Sequence, residues 1–246
     1  MDTADRPAAD APSRVQRVRH ELKRRDVEVV KVERLGAHFV AVTFRGEELA
    51  DFVSASFDDH VKFMFDDEAG EPVRRDYTPR RYDREARELT IEFALHGEGK
   101  ASTWARRATV GQRATIGGPR GSMIIPADYA WHLLAGDATA LPAIRRRMEE
   151  LPADVRAIVV VACDEPVILA SAARLDVWQV PDGAALVEAI RAMPLPAGDA
   201  FVWFGGEASI AATVRDVVHG EKGFPRSASR ISAYWKQGAS DHHEDL

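Results

Sequence analysis

Residues 131–148 read WHLLAGDATALPAIRRRM, and the change of character within this stretch decides the fold. Trp131–Ala135 is a short apolar run, as expected of a strand buried on both faces. Gly136 ends it. Leu141, Ile144, Met148 and Leu151 then recur at three, four and three residues, the period of a helix with one buried face. Strand, glycine, helix is the opening unit of a parallel α/β sheet. The rest of the chain repeats the plan. Ala157–Ala162 is a continuous apolar run, and Leu186, Ile190 and Met193 mark a helix. Phe201–Phe204 is a second buried run ending in Gly205-Gly206, and Ile210, Val214 and Val217 mark a further helix. Arg230–Trp235 reads as a last strand.

Upstream the period is two. Val40, Val42 and Phe44 alternate with other residues, as do Val61, Phe63 and Phe65, and Leu89, Ile91, Phe93 and Leu95. This predicts an antiparallel sheet or small barrel from Val27 to about Pro126. Val27, Val29, Val30 and Val32 change phase midway, the mark of a bulge. A short helix is expected near Lys100–Ala108. Residues 1–13, rich in Ala, Asp and Pro, are expected to be disordered. In the basic run that follows, Val15, Val18 and Leu22 keep a helical spacing and predict a short helix. The expected organisation is a tail and basic helix over 1–25, a β-barrel over 26–127 and an α/β domain over 128–246.

Composition narrows the function. A net charge of -6 argues against general nucleic-acid binding, so any basic site must be local. The single cysteine, Cys163, excludes an internal disulfide and a self-contained four-thiolate iron–sulfur cluster. Ending an apolar run, it reads as a core thiol. The polar opening MDTADRPAAD lacks a secretory signal, and no apolar run is long enough to span a membrane, so the expected compartment is the cytoplasm.

Three segments carry chemistry. Arg75-Asp76-Tyr77-Thr78-Pro79-Arg80 offers an arginine fork for a phosphate and an aromatic face for a planar ring, although a polar strand end would look the same. His96-Gly97-Glu98-Gly99-Lys100-Ala101-Ser102 follows a strand and opens a helix, where N–H and O–H donors suit an anion, although His96 equally fits a cap. Gly117-Gly118-Pro119-Arg120-Gly121-Ser122 lacks the ending of a P-loop and is by itself only a turn. Gly136-Asp137 and Gly205-Gly206-Glu207 sit at carboxyl ends of strands, where open α/β sheets bind ligands. Each glycine also fits a tight turn.

In this order the segments RDYTPR, HGEGKASTWA, GGPRGS, GDATALPAI, FGGEAS and AYWKQG resemble the siderophore-interacting protein family, a branch of the ferredoxin–NADP reductase-like flavoenzymes. The resemblance covers about residues 25–240. It implies a flavin-binding antiparallel β-barrel, a nicotinamide-binding parallel α/β domain, and a flavoenzyme that uses FAD and NADPH or NADH to reduce ferric siderophores. It further implies that Arg75 neutralises the FAD phosphates, Tyr77 stacks on the isoalloxazine and Thr78 bonds near its reactive edge. Arg80 is expected on the diphosphate or adenylate, with His96, Gly97, Ala101 and Ser102 around the rest. Gly136, Asp137, Thr139 and Ala140 are expected where nicotinamide meets flavin, with Gly205, Glu207 and Ala208 across the cleft. A basic triad for the anionic siderophore is expected at Lys62, Arg120 and Lys236, with Arg230 as fallback.

The chemistry then belongs to the flavin, and neither a catalytic acid or base nor a protein metal site is expected. His242-His243 is expected to lie in an acidic tail. The expected partner is a ferric siderophore, bound by a monomer. One departure concerns the nicotinamide: where many members carry Trp followed by Leu-His-Arg, Trp178 is followed by Gln179-Val180. Arg145 and Arg146 are the substitutes considered for holding a 2′-phosphate. Two alternatives stay open, a general flavin or ferredoxin-type reductase and a flavin-free siderophore-binding module.

Overall fold

In a computed structural model, which describes residues 14–95, 99–238 and 244–245, the period-two segments become strands. These are β1 (Gln16–Arg19), β2 (Arg24–Leu35), β3 (Phe39–Arg45), β4 (Val61–Asp66), β5 (Pro72–Tyr77), β6 (Arg81–Asp83) and β7 (Glu88–Ala94). The helix α1 (Lys100–Arg106) and strands β8 (Arg113–Gly117) and β9 (Gly121–Ile124) follow. Seven strands form one antiparallel sheet in the order β5-β4-β8-β2-β3-β7-β6. The alternating residues explain why it curls. Val40, Val42, Phe44, Phe63, Leu89, Ile91 and Phe93 are all fully buried in one cluster, and Trp104 of α1 packs 4.7 Å from the Phe63 ring. The expected bulge falls between Val29 and Lys31.

The sheet's outermost strands, β5 and β6, are consecutive in the chain. Thr78-Pro79-Arg80 joins them and runs beside β7, where the Arg80 N–H donates to the Thr90 carbonyl at 2.9 Å. The Tyr77 ring lies 4.4 Å from that of Phe93. The curled sheet is therefore closed by the RDYTPR segment.

The expected basic helix is absent. Residues 16–19 form β1, which pairs antiparallel with β9, and 24–35 form β2. Helical spacing alone misleads here, because Val18 and Leu22 remain exposed and no buried face rewards a helix.

The second half contains β10 (Trp131–Asp137), α2 (Leu141–Glu150), β11 (Arg156–Ala162), β12 (Arg174–Val180), α3 (Gly183–Ala192), β13 (Ala200–Glu207), α4 (Ala208–Arg215), β14 (Ser229–Trp235) and β15 (Glu244–Asp245). The sheet order is β12-β11-β10-β13-β14-β15, parallel except for β15. Alternate residues of each strand face opposite layers. Leu134 and Val159 pack with Ile144 and Met148 of α2, whereas Leu133 and Val160 pack with Leu186 and Ile190 of α3. Edge strand β12 has no sequence signature of a buried strand, since Val177 and Trp178 are exposed. The chain leaves β10 towards β11 and returns to its other side as β13, so the order reverses between β10 and β13. Cys163 is half-buried rather than deep in a core, packed against Phe39, Leu141 and Val161 between the two sheets. Among the described residues no helix is long and apolar enough to cross a membrane.

Candidate flavin, nicotinamide and siderophore site

Strand register places Arg75 opposite Phe63 and Tyr77 opposite Val61, so both share the face that lower down forms the barrel core. Near the strand end this face opens, and both side chains are only half-buried. Burial raises the Tyr77 hydroxyl pKa well above its usual value, against a smaller lowering by the Arg75 charge. The phenol therefore stays neutral, its ring supported by Phe93 and Phe63. The Arg75 guanidinium donates to the Arg74 carbonyl at 2.7 Å, which leaves most of its five N–H donors unengaged among the described residues. An arginine with open donors beside a supported aromatic ring fits a phosphate-bearing planar cofactor.

Thr78, next in the chain, is buried. Arg80 has a different fate from the one expected. It is 6% exposed, and its Nη atoms donate to both oxygens of Glu149 on α2 at 2.6 and 3.0 Å. Its Nε lies 3.0 Å from Glu92 on β7. Reaching a cofactor phosphate would strip a partner from a buried carboxylate. Ala101 and Ser102 are buried in the first turn of α1, and the Ser102 hydroxyl donates to the Ala94 carbonyl at 3.1 Å. His96 and Gly97 lie outside the described residues.

The strand-order reversal holds the other half of the site. A Cβ on Gly136 would stand 2.2 Å from the Gly205 carbonyl oxygen and 2.5 Å from the Ala140 Cβ, so only glycine lets these turns close. Asp137 braces the cleft. One carboxylate oxygen accepts the Thr139 N–H at 2.8 Å and its hydroxyl at 2.5 Å. The other accepts the Glu207 N–H at 3.0 Å and the Trp235 indole N–H at 2.9 Å. Glu207 caps α4, accepting the N–H groups of Ser209 at 2.6 Å and Ile210 at 3.2 Å. Burial opposes its ionisation, but bonds from Ser209, Ile210 and Gln237 outweigh this and hold its pKa below the usual value. Asp137 and Glu207 thus shape the cleft, with Ala140 buried and Thr139 and Ala208 half-buried along it. The Trp235 tie escaped the sequence reading. Its signal was an indole donor at the last position of a strand.

The candidate siderophore bases divide. Lys62, opposite Gly117 on β8, pairs with Asp76 at 2.9 Å and keeps its side chain 39% exposed. Arg120 is exposed in the turn before β9. Arg230 lies 2.5 Å from Asp58, in the segment leading to Lys62, and 3.2 Å from the Met123 sulfur on β9. Lys236 is exposed six residues further on, past the other end of β14, roughly 20 Å along an extended chain. Arg230 is thus held inside the fold, whereas exposed Lys236 directly follows Trp235, whose indole braces Asp137 in the cleft.

Two family profiles match the chain: a siderophore-interacting FAD-binding domain over residues 28–71 and 66–123, and a siderophore-interacting protein over residues 129–238. This chain belongs to the siderophore-interacting protein family. It is 34% identical to the NADPH-dependent ferric-chelate reductase of Escherichia coli (strain K12), over 92% of this chain and 98% of that protein. It is 29% identical to the ferric vibriobactin reductase ViuB of Vibrio cholerae serotype O1, over 89% of this chain and 92% of that protein. A solved siderophore utilization protein from T. fusca superposes with a TM-score of 0.84 at 33% identity, covering 92% of this chain and 97% of that one.

One expectation about this siderophore-interacting protein is overturned. Arg145 and Arg146, considered for a 2′-phosphate, are engaged inside the molecule. Arg145 donates to Glu92 at 2.6 Å. Arg146 donates to the Ser54 hydroxyl at 2.7 Å and to the Pro79 carbonyl at 2.9 Å. The sequence shows three consecutive arginines on a helix; Arg146 and Arg147 also meet Glu150 within it, but Glu92, Ser54 and Pro79 lie far away in the chain.

Proposed function

We propose that this chain is an FAD-dependent reductase that oxidises NADPH or NADH and reduces the iron of ferric siderophores. The carrying observation is the half-buried pair at the barrel closure, Arg75 with open donors beside the supported ring of Tyr77. FAD held by these residues would supply the conversion of a two-electron hydride donor into one-electron reduction of ferric iron. Ferrous iron is held less tightly by hard oxygen donors, so the reduced metal leaves. The chain's own residues bind and orient. Arg75 neutralises phosphate, Tyr77 stacks on the flavin ring, and Thr78, with His96, Gly97, Ala101 and Ser102, completes that half of the site. Gly136, Asp137, Thr139 and Ala140, with Gly205, Glu207 and Ala208, receive the nicotinamide at the reversal of strand order. Residues 26–127 act as the flavin unit and 128–246 as the nicotinamide unit.

For the substrate, Lys62, Arg120 and exposed Lys236 form the basic set, with Arg230, paired to Asp58, as the fallback. Attraction of an anionic chelate to a local basic surface on an acidic protein supports this. The protein works as a monomer, all these residues coming from one chain, and in the cytoplasm, where reduced nicotinamide is made. Purified protein should show the visible absorption of an oxidised flavin and turn over ferric siderophore with NADPH or NADH. A colourless protein that binds siderophore would reduce it to a binding module. Turnover of free flavin alone would make it a general flavin reductase.

A further inference from the structure

Strand β7 and helix α2 lie side by side along the junction of the two sheets. At one end Arg80, hydrogen-bonded through its N–H to Thr90, grips Glu149. In the middle Glu92 accepts from Arg145. At the other end Ala94 packs into the cluster of Leu141 and Ala138. The spacings match. From Thr90 to Ala94 an extended strand advances about 13 Å, and from Glu149 to Leu141 a helix advances about 12 Å. Arg146 adds a grip on the Pro79 carbonyl. Two residues of the RDYTPR turn, Pro79 and Arg80, therefore hold the far end of α2, whose near end grows out of the Gly136–Ala140 turn.

We propose that Arg80 is a positioning residue: it fastens the flavin-binding turn to α2 and, through the β7–α2 seam, sets where the nicotinamide-binding turn stands relative to the flavin. This rests on the proposed placement of flavin at Arg75–Thr78 and of nicotinamide at Gly136–Ala140. Hydride transfer needs donor and acceptor about 3–3.5 Å apart, and an error of about 1 Å can cost on the order of a hundredfold in rate. An arginine suits the task because its planar fork fixes direction as well as distance. Its two Nη atoms face Glu149 across the junction while Nε faces Glu92, so one rigid group ties three elements. A lysine ammonium has no such fork.

The test uses Arg80→Lys, Glu149→Gln and the double variant, with Arg75→Ala for reference. FAD affinity is measured by titration into apoprotein. Flavin reduction by NADPH or NADH is followed in anaerobic single turnovers, together with the long-wavelength charge-transfer band of nicotinamide stacked on flavin. Glu149→Gln and Arg80→Lys should slow flavin reduction by about ten- to a hundredfold. They should weaken the charge-transfer band and leave FAD affinity at the wild-type value, and the double variant should be no slower than the slower single. An unchanged reduction rate in Glu149→Gln overturns the proposal, as does a loss of FAD affinity in it matching that of Arg75→Ala. Should Arg80→Lys not fold, Glu149→Gln carries the test alone, since its side chain is partly exposed at the end of α2. Wild-type FAD affinity in Arg75→Ala would instead break the underlying placement of the flavin.

Discussion

Arg75 and Arg80 stand five residues apart in one motif and live in opposite surroundings. Arg80 is buried, with both Nη atoms donating to Glu149 and Nε 3.0 Å from the Glu92 carboxylate. Arg75 is half-exposed, with a single backbone carbonyl as partner among the described residues. The contrast extends outward. Along α2, Arg145, Arg146 and Arg147 are all engaged by carboxylates, carbonyls or a hydroxyl. At the barrel rim Arg120 points into solvent. A basic residue builds the fold where its partners are supplied by the chain, and is left for a ligand where they are not.

The largest effect should come from the buried side in acid. His132 is fully buried on β10, and burial first, then the Arg147 charge, lower its pKa from 6.5 to about 3. The unfolded chain takes up this proton near pH 6.5 and the folded chain only near 3. The stability contributed by the neutral ring is thus complete above pH 6.5 and is lost as the pH falls towards 3. The slope is at most about 1.4 kcal/mol per pH unit. In urea unfolding from neutral pH down to about pH 4, His132→Leu should show a shallower acid loss than wild type. Parallel curves would remove His132 from the account.

Next, Arg80→Ala should destabilise the protein by about 1–3 kcal/mol, because buried Glu92 and partly exposed Glu149 each lose one of their arginine partners while keeping Arg145 and Arg81. Arg75→Ala should leave unfolding within about 0.5 kcal/mol of wild type. Its FAD affinity should instead drop by about 10- to 100-fold, equivalent to roughly 1.5–3 kcal/mol for a charge-assisted bond. If calorimetric and FAD titrations give both variants the same profile, the contrast between the two arginines is broken.

Smaller effects sharpen the picture at the rim. Replacing Lys62 and Arg120 by alanine should raise KM for an anionic ferric siderophore and leave oxidation of NADPH by a small neutral acceptor nearly unchanged. The wild-type KM should rise with salt, since attraction reaches only about 8–10 Å at moderate ionic strength, and the variant should lose that dependence. Equal losses with both acceptors would point to damage at the flavin. Smallest of all, Cys163→Ser should cost no more than about 1 kcal/mol and keep turnover, as one thiol in a minor cluster. A folded, FAD-loaded variant without activity would contradict direct flavin-to-iron transfer.

Much of this was legible in the sequence because the signals were local. Phe63, Leu89, Ile91 and Phe93 announce their strands by alternation, and Gly136 and Gly205 stand where buried runs end. The motif order placed the flavin and nicotinamide residues in the right family. What escaped depends on partners remote in the chain. β1 is held by a ladder to β9 rather than by a buried face, and β12 is an exposed edge. Nothing local says that Glu92 and Glu149 occupy Arg80, or that Met123 and Asp58 meet Arg230.

The match between β7 and α2 also bears on how such chains can diverge in length. A strand residue and a helix residue advance by different amounts, so a deletion in 90–94 or 141–149 would throw every later rung of the seam out of step. Insertions there should be purged, whereas the irregular stretch 163–173 before β12 lies outside the seam and is free to lengthen or shrink. Length variation among relatives should therefore collect in that stretch, leaving the seam constant in residue count even where its sequence drifts.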